Sequence, residues 1–86
     1  MELTVLTQEK EIFQGNINSV KVPGANGQFE VLKGHAPIVS SLVTGPVRIL
    51  STNGDKKVFN IAKGFIEVIR NEVSLLVQGV DEETNN

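Results

Sequence analysis

Residues 65–77 read FIEVIRNEVSLLV, and this stretch decides the fold class. Val73, Leu75 and Val77 occupy alternate positions, a spacing that places their side chains on one face of a β-strand. The polar residues 70–72, RNE, separate this run from the apolar run before it. The stretch therefore predicts two antiparallel strands joined by a tight turn, with one face packed on a core.

The rest of the chain repeats this pattern. Val and Ile outnumber Leu and Ala, and β-branched side chains favour a pleated, half-buried surface over a helix. No segment shows a helical period over ten residues or more. Many short strands with regular turns predict an all-β sandwich or barrel. The turn signals are Pro23-Gly24, Asn26-Gly27, Gly34, Gly45-Pro46, Asn53-Gly54-Asp55, Gly64 and Asn71.

The second apolar run changes face part of the way along. Ile17 and Val20 differ in parity, which predicts a β-bulge near Asn18 and Ser19. Gly15 suggests a bulge in the same strand, since glycine inside a strand often marks one.

The end of the chain is polar. The last strand is expected to end near Gln78-Gly79, which leaves residues 1–80 as one domain. Residues 81–86, DEETNN, have nothing to bury, so we expect a loose tail.

Composition excludes several classes of protein. A chain of 86 residues forms one domain at most, and the absence of cysteine removes disulfides, thiolate zinc sites and iron–sulfur clusters. The formal charge of −2, without a basic stripe, argues against nucleic acid as a partner. No signal peptide and no bilayer-spanning apolar run are found. We expect a soluble, cytosolic chain that reaches a membrane only through another subunit.

The sequence offers no catalytic, cofactor-binding or metal-binding residues. His35 is the only histidine, the acidic residues are scattered, and no G-x-S-x-G or phosphate-binding loop occurs. We therefore expect a protein that is not an enzyme. The four phenylalanines are expected in the core, except that Phe29, next to a turn, could belong to a contact surface.

The segment of residues 27–39, GQFEVLKGHAPIV, contains a sharp bend. Gly34 can adopt backbone conformations closed to other residues, and Pro37 holds Ala36 extended. His35 lies in this bend. Its imidazole either satisfies local backbone groups or faces a partner.

The residues of this bend resemble the N-terminal domain of the ε subunits of F-type ATP synthases (δ in mitochondria). The resemblance covers residues 1–80 in order. It rests on Gly27 with Gly34-His35-Ala36-Pro37, Gly45-x-Val47-Arg48-Ile49, Leu3-Thr4-Val5 with Phe13-x-Gly15, Gly64-Phe65-Ile66-Glu67-Val68, and Asn71-x-Val73-x-Leu75.

The resemblance implies a flattened β-sandwich of about ten short strands. It also implies a rotor subunit of the central stalk, which binds the γ subunit and the polar loops of the c-ring and couples ion flow to ATP synthesis. Such a subunit is peripheral, lies at the cytoplasmic face of the inner membrane, and carries neither a catalytic residue nor a cofactor.

The resemblance implies roles for individual residues at the positions where the motifs match. The resemblance assigns Gly27, Gln28, Phe29 and Glu30 to the side facing the c-ring. It assigns Thr7, His35 and Ser40 to the γ side. The turn signals and the bend described above also mark Gly34, Ala36, Pro37 and Gly64 as structural turn residues.

The chain departs from the family pattern at three positions. Gln28 stands where the family usually has Glu, Glu30 where it has Gly, and Lys33 where it has Pro. Glu30 could replace the lost carboxylate. The sequence also stops after the last strand, so we expect no C-terminal helical hairpin and no inhibition of ATP hydrolysis through it.

A mixed apolar and polar patch on one sheet face is expected to bind γ. The candidates occupy strand positions that alternate with those expected to face the core. They are Leu6, Leu32, Leu50, Ile69 and Leu76.

The main alternative is a lipoyl- or biotinyl-type carrier domain. Such domains are β-sandwiches of similar length with a modified lysine at a hairpin tip, and Lys56 or Lys57 offers one here. However, the chain lacks the Met or Ala neighbours of that lysine, and its sole methionine is Met1. A small hydrolase or isomerase is a second alternative that lacks a candidate nucleophile and base.

Overall fold

The computed structural model describes residues 1–82, which form strands and connecting turns without a helix. This confirms the all-β fold class, with nine strands. In chain order they are β1 (Glu2–Leu6), β2 (Glu11–Gly24), β3 (Gly27–Leu32), β4 (Ile38–Leu42), β5 (Gly45–Ser51), β6 (Lys56–Ile61), β7 (Lys63–Ile69), β8 (Glu72–Gln78) and β9 (Asp81–Glu82).

The strands follow the order β1-β8-β7-β4-β2-β5-β6-β9, with β3 also paired to β2. The 14-residue β2 links the two halves of the sandwich. Its first half pairs with β1, its second half pairs with β3 and β5, and its end meets β4 where Gly24 faces Leu42. The β1–β8 pair is parallel, and the other described pairs are antiparallel.

The core lies between the inner faces of the two halves. β7 and β8 alternate buried and exposed residues at every position, as residues 65–77 predict. Ile66 faces Leu75 across the pair, and Val68 faces Val73, so both strands send the same face inward. The largest fully buried side chains are Phe59, Leu3, Ile17, Ile61, Ile66, Leu75, Val5, Val20, Val22, Val31, Val47 and Val68.

The predicted bulge in β2 is confirmed. Pairing with β5 shifts register between Ile17 and Ser19, which moves Val20 onto the buried face. Gly15, which suggested a bulge in the same strand, lies two residues before this shift and itself pairs in regular register with Leu3.

Two hairpins have the predicted turns. Between β5 and β6, Gly54 adopts a φ of 93°. Between β7 and β8, the two turn residues Arg70 and Asn71 have φ values of 50° and 64°. Positive φ at both central residues is the requirement of a type I′ turn, whose twist matches that of the flanking strands.

Gly64 is not a turn residue, in contrast to the prediction. It lies buried inside β7, and a Cβ there would be 2.6 Å from the carbonyl oxygen of Leu76. Close approach of two strands therefore requires this glycine. The core position expected for Phe65 is also wrong, since its side chain is 55% exposed.

β8 ends at Gln78, where the last strand was expected to end. A short further strand follows, in which Asp81 and Glu82 pair with Asn60 and Phe59 of β6. The rest of the predicted polar tail, residues 83–86, lies outside the described residues. Within residues 1–82 there is no helix of the length and hydrophobicity that a membrane span needs.

Candidate partner-binding surfaces

The outward side of β1, β8, β7 and β4 carries a row of large exposed hydrophobic side chains. Leu6 is the register partner of Leu76, and Leu76 is the register partner of Phe65, so three adjacent strands place these residues side by side. Register partners share one face of a sheet, and their side chains lie in contact range. The row continues to Ser41 on β4.

Two further hydrophobic residues extend this surface. Val39 is 71% exposed on β4, and Ile69 is 46% exposed near the end of β7. Together with Pro37 they line a cleft of about 230 Å³. We call the surface formed by Leu6, Val39, Phe65, Ile69 and Leu76 the outer apolar face. Its polar neighbours include Thr4, Ser74 and Glu67, which are register partners across β1, β8 and β7 in the row that ends at Val39 on β4.

The sequence predicted part of this surface. Leu6, Leu32, Ile69 and Leu76 are exposed as expected, but Leu50 is half-buried. Leu32 lies on β3 and does not belong to the outer apolar face. The sequence analysis missed Phe65 and Val39. The alternation in β7 would have found Phe65, because it shares parity with Glu67 rather than with the buried Ile66.

The residues assigned to the ring side lie at the β2–β3 hairpin. Gln28 and Glu30 are exposed and point to the same side of β3, where they face Pro23 and Lys21 of β2. Phe29 is half-buried, and its ring packs so closely on Gly24 that a Cβ there would be 2.8 Å from it. Gly27 has a φ of 120°.

The loop between β3 and β4, residues 33–37, forms the predicted bend. The backbone N–H of His35 donates to the carbonyl of Leu32 at 3.0 Å, which closes a turn. Gly34 has a φ of 84° at the third position of that turn, where a type II turn requires a positive φ. Lys33, Gly34, Ala36 and Pro37 are exposed.

The ring of His35 contacts its own loop. Nδ1 lies 2.7 Å from the carbonyl oxygen of Ala36, and the tautomer with a proton on Nδ1 donates to that oxygen. This contact favours the alternative in which the imidazole satisfies a local backbone group. The side chain is only half-buried, so the ring also remains accessible to a partner.

Thr7 organises the turn between β1 and β2. Its Oγ1 accepts hydrogen bonds from the backbone N–H groups of Glu9 and Lys10, at 3.2 and 3.1 Å. Its own N–H donates to the carbonyl of Lys10 at 2.9 Å. A local role in the turn therefore accounts for this threonine.

The structure does not group the three residues assigned to the γ side. Thr7 lies beside Gln78, at one end of the β1–β8 pair, whereas the loop of His35 is bound to the β7–β8 turn at the other end. Ser40 lines a groove with residues 24–29, next to the hairpin assigned to the ring.

The outward side of β2, β3 and β5 carries both charged and apolar side chains. Lys21 stands between Glu30 on β3 and Arg48 on β5, and Lys56 lies on the neighbouring β6. Leu32 and Leu50 flank Ser19 in the adjacent row of the same side. Within residues 1–82 no three His, Cys, Asp or Glu side chains are grouped so as to hold a metal ion.

Comparison with known families gives a match along the described part of the chain. Residues 1–82 match the family described as "ATP synthase, Delta/Epsilon chain, beta-sandwich domain". The chain is 46% identical to the ATP synthase epsilon chain of Chlorobaculum tepidum, over 91% of this chain and 89% of that relative. It is 39% identical to the ATP synthase epsilon chain of Protochlamydia amoebophila, over 92% of this chain and 54% of the relative.

A solved structure shares the fold. A chain in the Euglena gracilis mitochondrial ATP synthase, solved as OSCP/F1/c-ring, superimposes with a TM-score of 0.86 at 24% identity. The match covers 93% of this chain and 51% of that chain, so this chain spans about half of its length. The family match and the identity to curated epsilon chains exclude the carrier-domain alternative. The chain belongs to the ATP synthase delta/epsilon family, and its residues 1–82 match the β-sandwich domain of that family.

Proposed function

We propose that this chain is a non-catalytic subunit of the ATP synthase central stalk. It binds the γ subunit and the polar loops of the c-ring, and it couples ion flow through the ring to ATP synthesis. In this role it is a peripheral subunit at the cytoplasmic face of the inner membrane, held there by its partners.

The outer apolar face is the observation that carries the proposal. Leu6, Leu76 and Phe65 form a continuous row across three strands, and Val39 and Ile69 lie on the same side. Soluble domains rarely leave such a surface uncovered unless it binds something. A row of hydrophobic residues with polar neighbours is typical of a protein interface, so γ docks on this face.

The β2–β3 hairpin contacts the ring in this proposal. Gln28 and Glu30 project from the same side of β3, two residues or about 7 Å apart. Glu30 therefore presents a carboxylate close to the position at which the family usually has one. The polar side chains at the hairpin suit the polar loops of a membrane ring.

Size-exclusion chromatography with light scattering tests the proposal. The purified chain is mixed with the γ subunit of the same organism's ATP synthase at micromolar concentration. A complex of one γ and one copy of this chain is the expected result. Separate elution of the two proteins, repeated with the assembled γ–c-ring complex, would rule the proposal out.

A further inference from the structure

The side chain of Asn71 connects the β7–β8 turn to the loop of residues 33–37. Its Oδ1 accepts a hydrogen bond from the backbone N–H of Gly34 at 3.0 Å, across 37 residues of sequence. The backbone carbonyl of Asn71 accepts a second hydrogen bond, from the N–H of Glu2 at 3.0 Å. One residue therefore joins the β7–β8 turn, the start of β1 and the loop.

Asparagine suits this position for two separate reasons. The φ of 64° lies in the left-handed region, which Asn and Asp tolerate better than most residues. The side chain also supplies an oxygen acceptor within reach of Gly34. Glycine would satisfy the first requirement only, whereas aspartate would satisfy both.

The other hydrogen bonds described for the loop are local. His35 N–H donates to Leu32, and the His35 ring contacts the carbonyl of Ala36. Pro37 has no N–H to donate. Among the described hydrogen bonds of this exposed loop, the one from Gly34 to Asn71 is therefore the one that connects it to the β7–β8 turn.

We propose that Asn71 is a positioning residue, which holds the Gly34–Pro37 segment in the conformation that a partner binds. The inference rests on the proposed function, because it takes the loop of His35 to be part of the γ contact. Holding the loop also shapes the cleft formed by Pro37, Val39 and Ile69 on the outer apolar face. A loop that populates its binding conformation only part of the time lowers affinity by that fraction.

Three variants of the full chain separate the hydrogen bond from the turn. Asn71→Gly keeps a residue that accepts positive φ but removes the acceptor. Asn71→Asp keeps both the tolerance of positive φ and the oxygen acceptor. Arg70→Gly changes the neighbouring positive-φ position and leaves the acceptor in place.

The first measurement is amide hydrogen exchange of Gly34, followed by NMR on the uniformly ¹⁵N-labelled chain. In Asn71→Gly the Gly34 amide should exchange about three- to tenfold faster, the range expected for one hydrogen bond. Asn71→Asp and Arg70→Gly should keep the wild-type rate. An unchanged rate in Asn71→Gly would show that the bond does not hold the loop.

The second measurement is the affinity of each variant for the γ subunit. Asn71→Gly should bind about three- to tenfold more weakly, and Asn71→Asp should restore binding. Faster exchange with unchanged γ affinity would overturn the positioning role while leaving the proposed function intact. If the wild-type chain itself fails to bind γ, the proposed function and this role both fail, and the exchange rates still decide whether the bond exists.

Discussion

Phe65 stands directly opposite Leu76 in the antiparallel β7–β8 pair, and the two side chains are 55% and 50% exposed. Their sequence neighbours Ile66 and Leu75 form the next register pair along the two strands, and both side chains are buried in the core. The same two strands therefore build the core with one face and an uncovered hydrophobic row with the other. Core packing accounts for the first face, and the proposed contact with γ would account for the second.

Replacing Phe65 should separate binding from folding. Phe65→Thr keeps a residue favoured in strands but removes the aromatic ring from the outer apolar face. We expect more than a tenfold loss of affinity for γ, because central aromatic residues dominate interfaces. Isothermal titration calorimetry measures the affinity, and urea denaturation should show a change in unfolding free energy of less than about 1 kcal/mol.

Leu32→Thr is the matched control for this variant. Leu32 is 51% exposed on β3, outside the outer apolar face. It should bind γ like the wild type. Equal losses of affinity in both variants would indicate that general hydrophobicity, rather than this face, binds γ.

Gly64→Ala should destabilise the domain through steric overlap with β8. The added Cβ would lie 2.6 Å from the backbone oxygen of Leu76 and 3.1 Å from Cγ1 of Val77. A backbone atom in a paired strand cannot move aside, so we expect a loss of about 1–3 kcal/mol in unfolding free energy. Chemical denaturation followed by circular dichroism provides the measurement.

Gly15→Ala is the control in this case. The nearest atom to its added Cβ is 3.7 Å away, on the ring of Phe13, which is an ordinary contact. This variant should keep wild-type stability or gain slightly, since alanine reduces the freedom of the unfolded chain. A Gly64→Ala protein as stable as Gly15→Ala would contradict the role of close strand approach.

Glu30→Gln tests the hairpin contact with the ring. Removing an exposed charge should weaken binding of the chain–γ complex to c-ring membranes by at most about fivefold, the usual range for a surface ion pair. The loss should disappear at high salt, because screening removes the contribution of the wild-type carboxylate. Glu9→Gln, exposed in the turn between β1 and β2, removes the same charge away from both the hairpin and the outer apolar face and controls for net charge. A larger loss in Glu9→Gln would place the ring contact elsewhere.

Arg70→Gly should stabilise the domain. Arg70 has a φ of 50°, a conformation that costs most residues about 1–2 kcal/mol. Glycine relieves this cost but adds freedom to the unfolded chain, so a net gain of about 0.5–1 kcal/mol is expected. Thermal denaturation should show a higher midpoint, and a lower one would mean that the arginine side chain makes a stabilising contact.

Period-two alternation was enough to predict the fold class from the sequence. It located the β7–β8 hairpin and, through the changed parity of Ile17 and Val20, the bulge in β2. It did not reveal that Gly64 lies inside β7, because glycine occurs both in turns and where two strands approach closely. Only the register that sets Gly64 against Val77 distinguishes the two.

The outer apolar face was predictable only in part, for a related reason. Parity tells which side chains point away from the core, and it identified Leu6, Ile69 and Leu76. It does not tell which strands are neighbours. The parallel pairing of β1 with β8, which places Leu6 beside Leu76, joins segments 70 residues apart and leaves no local signal. Likewise, the bond between Gly34 and Asn71 depends on tertiary structure alone.

Restoration of coupling in ATP synthase that lacks its ε subunit is the most direct test of the account. The depleted enzyme is reconstituted in vesicles, the chain is added, and ATP synthesis driven by an imposed ion gradient is measured. The account predicts that the wild-type chain restores synthesis, that Leu32→Thr does the same, and that Phe65→Thr restores it only at higher concentration. A wild-type chain that leaves the synthesis rate of the depleted enzyme unchanged would contradict the proposal that it is the coupling subunit of the central stalk.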